Sequence, residues 1–205
     1  MKNVFVSSHP LVADLLTILR DKQTGIREFR STAEQISSLL ITDASGDLSL
    51  STKAIETPLT KMHAPVLSEN IVLFTILRAG LAMLHPAMKL FPSAEVGFAG
   101  LRRNEQTAIA EEYYWKMPTI TKNSLVFLLD PMLATGGSAL CVLRKIKQAK
   151  EIRLVTIISA PEGITAIHSA FPNVRIYTGA VDQKLNARKY IVPGLGDFGD
   201  LYFGT

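Results

Sequence analysis

The chain has 205 residues, 47% hydrophobic and 20% charged, which suits one globular domain with a real core and excludes a disordered chain. With 22 Lys and Arg against 18 Asp and Glu the formal charge is +4; the basic residues are dispersed, so the excess fits a site for polyanionic small molecules as well as it fits nucleic acid. The single cysteine, Cys141, rules out an intrachain disulfide and reads as a small buried hydrophobe.

Met1 to Pro10 has no secretory pattern, and the longest stretch free of Asp, Glu, Lys and Arg, Pro131 to Leu143, falls short of the roughly 20 residues of a membrane span. A cytoplasmic protein is expected. Leu11, Val12, Leu15, Leu16 and Leu19 recur at helical spacing. Ile26, Phe29, Ala33, Ile36 and Leu40 do the same after Thr24, a candidate cap, so two N-terminal helices are predicted. Ala44 to Asp47 reads as a turn and Leu48 to Thr57 as a partly alternating strand. Ile71 to Leu77 is a continuous apolar run, the pattern of a strand covered on both faces. Gly80 to Leu90 reads as a helix in spite of Pro86. Ala94 to Leu101, Leu125 to Leu129, Ile152 to Ser159 and Val174 to Gly179 are further strands, with helices at Ala139 to Gln148 and Gly163 to Ala170. This alternation predicts an α/β fold, a doubly wound and mostly parallel sheet flanked by helices. Asn104 to Asn123, aromatic through Tyr113-Tyr114-Trp115, reads as a β-arm or a flap. No linker or repeat divides residues 1–205.

The chemistry concentrates after Leu129. Asp130-Pro131-Met132-Leu133-Ala134 leads into Thr135-Gly136-Gly137-Ser138 and then a helix. N–H groups at a helix start have no partner within the helix, the dipole is positive there, and glycine lets backbone approach a ligand. With the hydroxyls of Thr135 and Ser138 this is an anion cradle suited to phosphate. No lysine precedes Ser138, so it is not the loop of nucleotide triphosphatases. One phosphate on a sugar fits better, with Asp130 meeting hydroxyls; the plain alternative is a Gly-Gly that only turns the chain. Arg78 ends the first buried strand, where α/β sheets bind ligands, and its fork suits phosphate oxygens; the alternative is a salt-bridged surface arginine.

Gly194-Leu195-Gly196-Asp197-Phe198-Gly199 spells Gly-x-Gly-x-x-Gly but stands close to Thr205, without the helix and distant acid of a dinucleotide site. It reads as a loop forced close to a flat ligand, where exposed backbone N–H and C=O groups can pair with the ligand's polar edge; the plain alternative is a mobile glycine-rich terminus. His9, His63, His85 and His168 show no metal-ligand spacing.

Residues 130–138 resemble the phosphoribosyl-pyrophosphate loop of uracil phosphoribosyltransferases, and Tyr190 to Asp200 with Phe203-Gly204-Thr205 resembles their uracil-binding segment. Ile76-Leu77-Arg78-Ala79-Gly80, Arg103-Asn104-Glu105 and Ala160-Pro161-Glu162-Gly163 match in the family's order, and the likeness runs from His9-Pro10-Leu11 to Thr205. The resemblance implies the type I phosphoribosyltransferase fold, with the N-terminal helices and the C-terminal segment forming a hood. It implies a pentosyltransferase of pyrimidine salvage converting uracil and 5-phospho-alpha-D-ribose 1-diphosphate (PRPP) to UMP and diphosphate. PRPP contacts would come from Arg78, Arg103, Asp130, Pro131, Met132, Leu133, Ala134, Thr135, Gly136, Gly137, Ser138 and Asp197. Uracil contacts would come from Ile191, Gly196, Asp197 and Phe198, and catalytic roles fall to Asp130, Arg103 and Asp197.

The resemblance also implies a strained or cis peptide near Arg78-Ala79. Mg²⁺ is expected through PRPP and water, not through a protein cage. A homodimer or higher homo-oligomer is expected, with GTP activation in some members and no membrane or nucleic-acid partner. Arg102 stands where the family usually has an aromatic residue and receives no ligand role. Phe198 stands where bacterial members often have a small residue: a backbone contact would tolerate the ring, whereas a ring in the pocket would change substrate choice. Two other classes stay open. One is an RNA-binding regulator on the same fold, which a clustered basic face and steep salt dependence would favour. The other is a transferase for a different base, against which the tail speaks.

Overall fold

The computed structural model describes residues 2–103 and 110–205. β1 (Val4–Val6) is followed by α1 (Pro10–Arg20) and α2 (Ile26–Asp43), whose apolar stripes are buried as their spacing requires. Pro10 occupies the first turn of α1, where its missing N–H costs nothing, and His9 Nδ1 accepts the Leu11 N–H at 3.1 Å. Thr24 does not cap α2. Its hydroxyl donates to the Ile18 carbonyl at 2.6 Å, closing the turn between the helices, and Gly25 takes the cap position without a side-chain bond.

β2 (Leu50–Glu56) and β3 (Lys61–Leu67) form an antiparallel hairpin separate from the main sheet, with nearly every side chain exposed. β3 carries Pro65 and His63 and has no buried face, so it lacks a strand pattern in sequence.

The body consists of β4 (Asn70–Leu77), α3 (Leu81–Leu90), β5 (Glu95–Arg103), β6 (Ala110–Lys116), β7 (Ser124–Leu129), β8 (Met132–Leu133), α4 (Gly137–Ile146), β9 (Glu151–Ser159), α5 (Pro161–Ala170) and β10 (Arg175–Val181). The sheet order is β1-β10-β9-β7-β4-β5-β6, with β8 paired to β9. Every pairing is parallel except β5 with β6. The first three helices cover one face, where Ile36, Met83 and Phe127 pack, and α4 with α5 covers the other, where Phe74, Val142 and Ile167 pack. This doubly wound arrangement explains the unbroken apolar runs of β4, β7 and β9. The one buried cation of the sheet among the described residues, Arg153, is satisfied by Asp47 at 2.6 Å and Glu151 at 2.7 Å.

Part of the stretch expected as an arm or flap is the edge strand β6, whose Trp115 ring packs 5.1 Å from that of Phe74; residues 104–109 lie outside the described residues. Trp115 is the aromatic of this strand that packs inward, whereas Tyr113 and Tyr114 are exposed, and the β2–β3 hairpin is a second antiparallel arm. The tail holds β11 (Lys184–Leu185), β12 (Ile191–Val192) and α6 (Phe198–Phe203). A loop was expected where α6 forms. Asp197 caps it by accepting the Asp200 N–H at 3.1 Å, and Gly204 at φ 77° ends it. Among the described residues no helix is long and apolar enough to cross a membrane.

Candidate active site

β4 and β7 end side by side, with Thr75 opposite Leu129, and each releases a functional loop at its carboxyl end. After β4 the Leu77–Arg78 peptide is cis, one bond before the expected place. Gly80 then presses onto the β4–β7 seam: a Cβ there would lie 2.6 Å from the carbonyl oxygens of Ile76 and Leu129. Arg78 projects to the surface and pairs with Asp200 of α6.

After β7 the chain is stitched onto β9. The Asp130 N–H donates to the Val155 carbonyl at 3.2 Å, and the Pro131 carbonyl accepts from Ile157 at 2.9 Å and Ile158 at 3.1 Å. The Leu133 carbonyl accepts the Ala160 N–H at 2.8 Å. Pro131 and the Leu133 side chain are buried, so both serve the core. Gly163 of α5 lets the loop lie flat, since a Cβ there would meet the Ala134 carbonyl at 2.5 Å. Gly136 has φ 81°, a conformation glycine adopts freely, and turns the chain into α4. Thr135 and Gly137 are exposed and Ser138 is partly so; Thr135 Oγ1 accepts the Gly137 N–H at 3.4 Å. The first turn of α4 thus presents N–H groups that no carbonyl of the helix can take.

Burial pushes the Asp130 carboxyl from 3.8 up to about 7, against the opposing effect of a hydrogen bond from the Met132 backbone. A carboxyl that titrates near neutrality at the end of a parallel strand is a functional-site marker.

Between this loop and the tail lies a cleft of about 320 Å³, lined by Met132, Ala134, Lys189, Gly196, Asp197 and Phe198 among others. Phe198 borders the cleft, but the residue is 1% exposed and its ring packs 5.2 Å from Phe29 and 6.0 Å from Tyr202. The ring belongs to the core; beside it, Gly196 and Asp197 are exposed. The Ile191 side chain is likewise buried, beside Leu195. The side chain of Arg103, at the end of β5, lies outside the described residues with Asn104 and Glu105. Arg102 pairs with Glu111 at 3.3 Å.

The sequence reading missed Lys189. It lines the cleft at φ 66°, in a loop built by Asn186 Oδ1, which accepts from Arg188 at 2.9 Å and Tyr190 at 3.0 Å. The signal available was Asn186 ahead of a basic pair, a side chain that caps its own turn. Among the described residues no group of three or more His, Cys, Asp or Glu is arranged around a metal. The carboxylates at hand, Asp197 on the cleft and Asp130 at the foot of the loop, are hard oxygen donors of the kind that supplement substrate oxygens around Mg²⁺.

A phosphate-type loop after one parallel strand, an arginine turn after its neighbour and a cleft at their carboxyl ends define a phosphoribosyltransferase fold. Orotate phosphoribosyltransferase of Mycobacterium tuberculosis, solved with PRPP, is alike in fold alone, with a TM-score of 0.50 and 12% identity over 85% of this chain and 90% of that one. The solved structure of a protein from Aquifex aeolicus has a TM-score of 0.94 and 38% identity, covering 98% of both chains. The family model described as uracil phosphoribosyltransferase matches residues 6–205. Proteins named uracil phosphoribosyltransferase from Roseiflexus castenholzii and Anoxybacillus flavithermus are 46% and 45% identical over 100% of both chains. The chain belongs to the uracil phosphoribosyltransferase family.

Proposed function

We propose that this cleft transfers the 5-phosphoribosyl group of PRPP to uracil, giving UMP and diphosphate, as a glycosyltransferase of pyrimidine salvage. The observation that carries the reading is the placement of Met132 and Ala134 of the phosphate-type loop across one cleft from Gly196, Asp197 and Phe198 of the tail.

N1 of uracil bonds to the anomeric carbon as the C–O bond to diphosphate breaks, through an oxocarbenium-like state, and the N1 proton passes to the departing diphosphate or to water. The N–H groups of Gly137 and Ser138 and the hydroxyls of Thr135 and Ser138 hold the 5-phosphate, which fixes the sugar. The loop from Pro131 to Gly136 walls it, and Asp130, once ionised, accepts from the ribose hydroxyls. Arg78, together with Arg103, takes the charge of the departing diphosphate. The backbone at Ile191, Gly196 and Phe198 pairs with the imide edge of uracil, and Asp197 faces both substrates. Asp130 and Asp197 would help to hold a Mg²⁺ ion brought by the substrate, which would supply further charge neutralisation.

The proposal includes a homodimer or higher homo-oligomer, supported by apolar residues exposed on the hairpin, Leu50, Leu59, Met62 and Leu67, and read out by light scattering. It includes GTP as an activator, tested by adding GTP to the assay, and a cytoplasmic location, where a polyanionic donor is retained. The decisive experiment is product formation from PRPP with Mg²⁺ and uracil, beside cytosine, hypoxanthine and orotate. Turnover of uracil alone is expected. Turnover of another base keeps the donor site and overturns the acceptor assignment, and PRPP binding without turnover of any base overturns the transferase reading in favour of a regulator.

A further inference from the structure

Behind the cleft, two segments distant in sequence meet on one residue of the tail. Arg20, the last residue of α1, grips Asp182 just past β10 through two bonds, Nη1 to Oδ2 at 2.9 Å and Nη2 to Oδ1 at 2.6 Å. Nη1 also donates to the Gly194 carbonyl at 2.8 Å, and the Gly194 N–H donates back to Asp182 Oδ2 at 2.8 Å. Both backbone groups of Gly194 are therefore held by one ion pair, the carbonyl by the cation and the N–H by the anion. The pair is well shielded, with the Asp182 side chain 5% exposed and that of Arg20 24%.

The clamp sits immediately ahead of Gly196, Asp197 and Phe198, which border the cleft. β12 is only two residues long, and α6 does not begin until Phe198. The turn between them carries Gly194 at φ 62°, packed so closely on the Ile191 backbone that a Cβ would collide with it. Gly196 and Asp197 in this turn, and Phe198 directly after it, line the cleft. Ladder bonds hold the chain before the turn and helix bonds hold it after; the ion pair holds the turn itself. Neither Arg20 nor Asp182 lines the cleft.

We propose that Arg20 and Asp182 are positioning residues for the uracil subsite, fixing the Gly194 turn so that the backbone from Gly196 to Phe198 meets the base. The proposal rests on the reading of the tail as the uracil wall. A planar fork is needed here, because one guanidinium must satisfy a carboxylate through two donors and a carbonyl at the same time, which an ammonium on a flexible stem does poorly.

The test is steady-state kinetics of Arg20→Met and Arg20→Lys, with KM measured for each substrate and thermal midpoints recorded alongside. Arg20→Met is expected to raise the KM for uracil about tenfold or more, since small misplacements of a binding wall are costly. Arg20→Lys should fall between it and the wild type, and the KM for PRPP should stay within about twofold in both. An unchanged uracil KM in a folded variant, or an equal rise in both KM values, overturns the proposal even where the midpoint falls. If Arg20→Met does not fold, Arg20→Lys and Asp182→Asn carry the same comparison. The uracil-wall reading has its own readout in the wild-type chain: uracil should protect residues 194–200 from hydrogen exchange. Without that protection the wall reading fails; with protection and an unmoved uracil KM, the clamp alone fails.

Discussion

Arg78 Nη2 lies 3.2 Å from Asp200 Oδ1, and the same carboxylate oxygen accepts the Thr205 hydroxyl at 3.2 Å. The guanidinium also sits 5.9 Å from the centroid of the Phe203 ring. The arginine proposed to meet the leaving diphosphate is thus held by α6, so the proposed donor and acceptor sides share a contact. The two side chains are 56% and 51% exposed, and an ion pair so placed is worth about 0–1 kcal/mol. A diphosphate can displace it at little cost.

Asp200→Asn should therefore lower the KM for PRPP, by about 2- to 5-fold, because the substrate no longer competes for Arg78. Arg78→Lys should raise that KM about tenfold, since the charge stays while the fork is lost. Kinetics with PRPP varied at saturating uracil decides both; a higher KM in Asp200→Asn would mean that Asp200 orients Arg78 and does not compete for it.

Asp130 is expected to make both activity and stability depend on pH. Its folded carboxyl titrates at about 7, above the 3.8 of an unperturbed aspartate, because burial disfavours the charge. The unfolded chain releases this proton first as pH rises from 3.8 toward 7, so stability falls across that window and levels off above it. Asp130→Asn removes the ionisation and should raise the thermal midpoint more at pH 8 than at pH 5, each kcal/mol of relief being worth about 2–4 °C at this size. Activity should run the other way. kcat/KM for PRPP in the wild type should climb through a limb near pH 7 as the ribose-binding form appears, and a pH series on the slower Asp130→Asn should lack that limb.

Phe198 separates packing from specificity. Its ring fills space between Phe29 and Tyr202, so Phe198→Ala should cost about 3–5 kcal/mol in denaturant unfolding. Phe198→Leu should cost less and leave the preference for uracil over cytosine unchanged. A switch in base preference with leucine would place the ring in the pocket after all.

Gly163→Ala tests the support of the phosphate loop from behind. The added Cβ falls onto the Ala134 and Leu133 carbonyls, which are backbone and cannot swing aside. A cost of about 1–3 kcal/mol is expected, together with a raised KM for PRPP as the loop shifts. Wild-type kinetics in this variant would show that the loop absorbs the displacement.

Local order in the chain was enough to mark both halves of the candidate site. The loop at 130–138 announces itself through an apolar run, an acid and paired glycines, and the tail through Gly194, Gly196 and Gly199, because backbone conformation at such positions depends on the residues themselves. The buried strands were legible for the same reason: β4, β7 and β9 are apolar throughout, and only a sheet covered on both faces asks for that. The β2–β3 hairpin stayed half hidden because an exposed arm has no buried face to impose a pattern. Other features arise only when the chain closes on itself. Arg78 and Asp200 are 122 residues apart and Arg20 and Asp182 are 162 apart, and no spacing rule pairs side chains over such distances. Whether the Phe198 ring enters the cleft or the core was equally beyond the sequence. The answer lies in the space beside Phe29, which exists only once α2 has packed against α6.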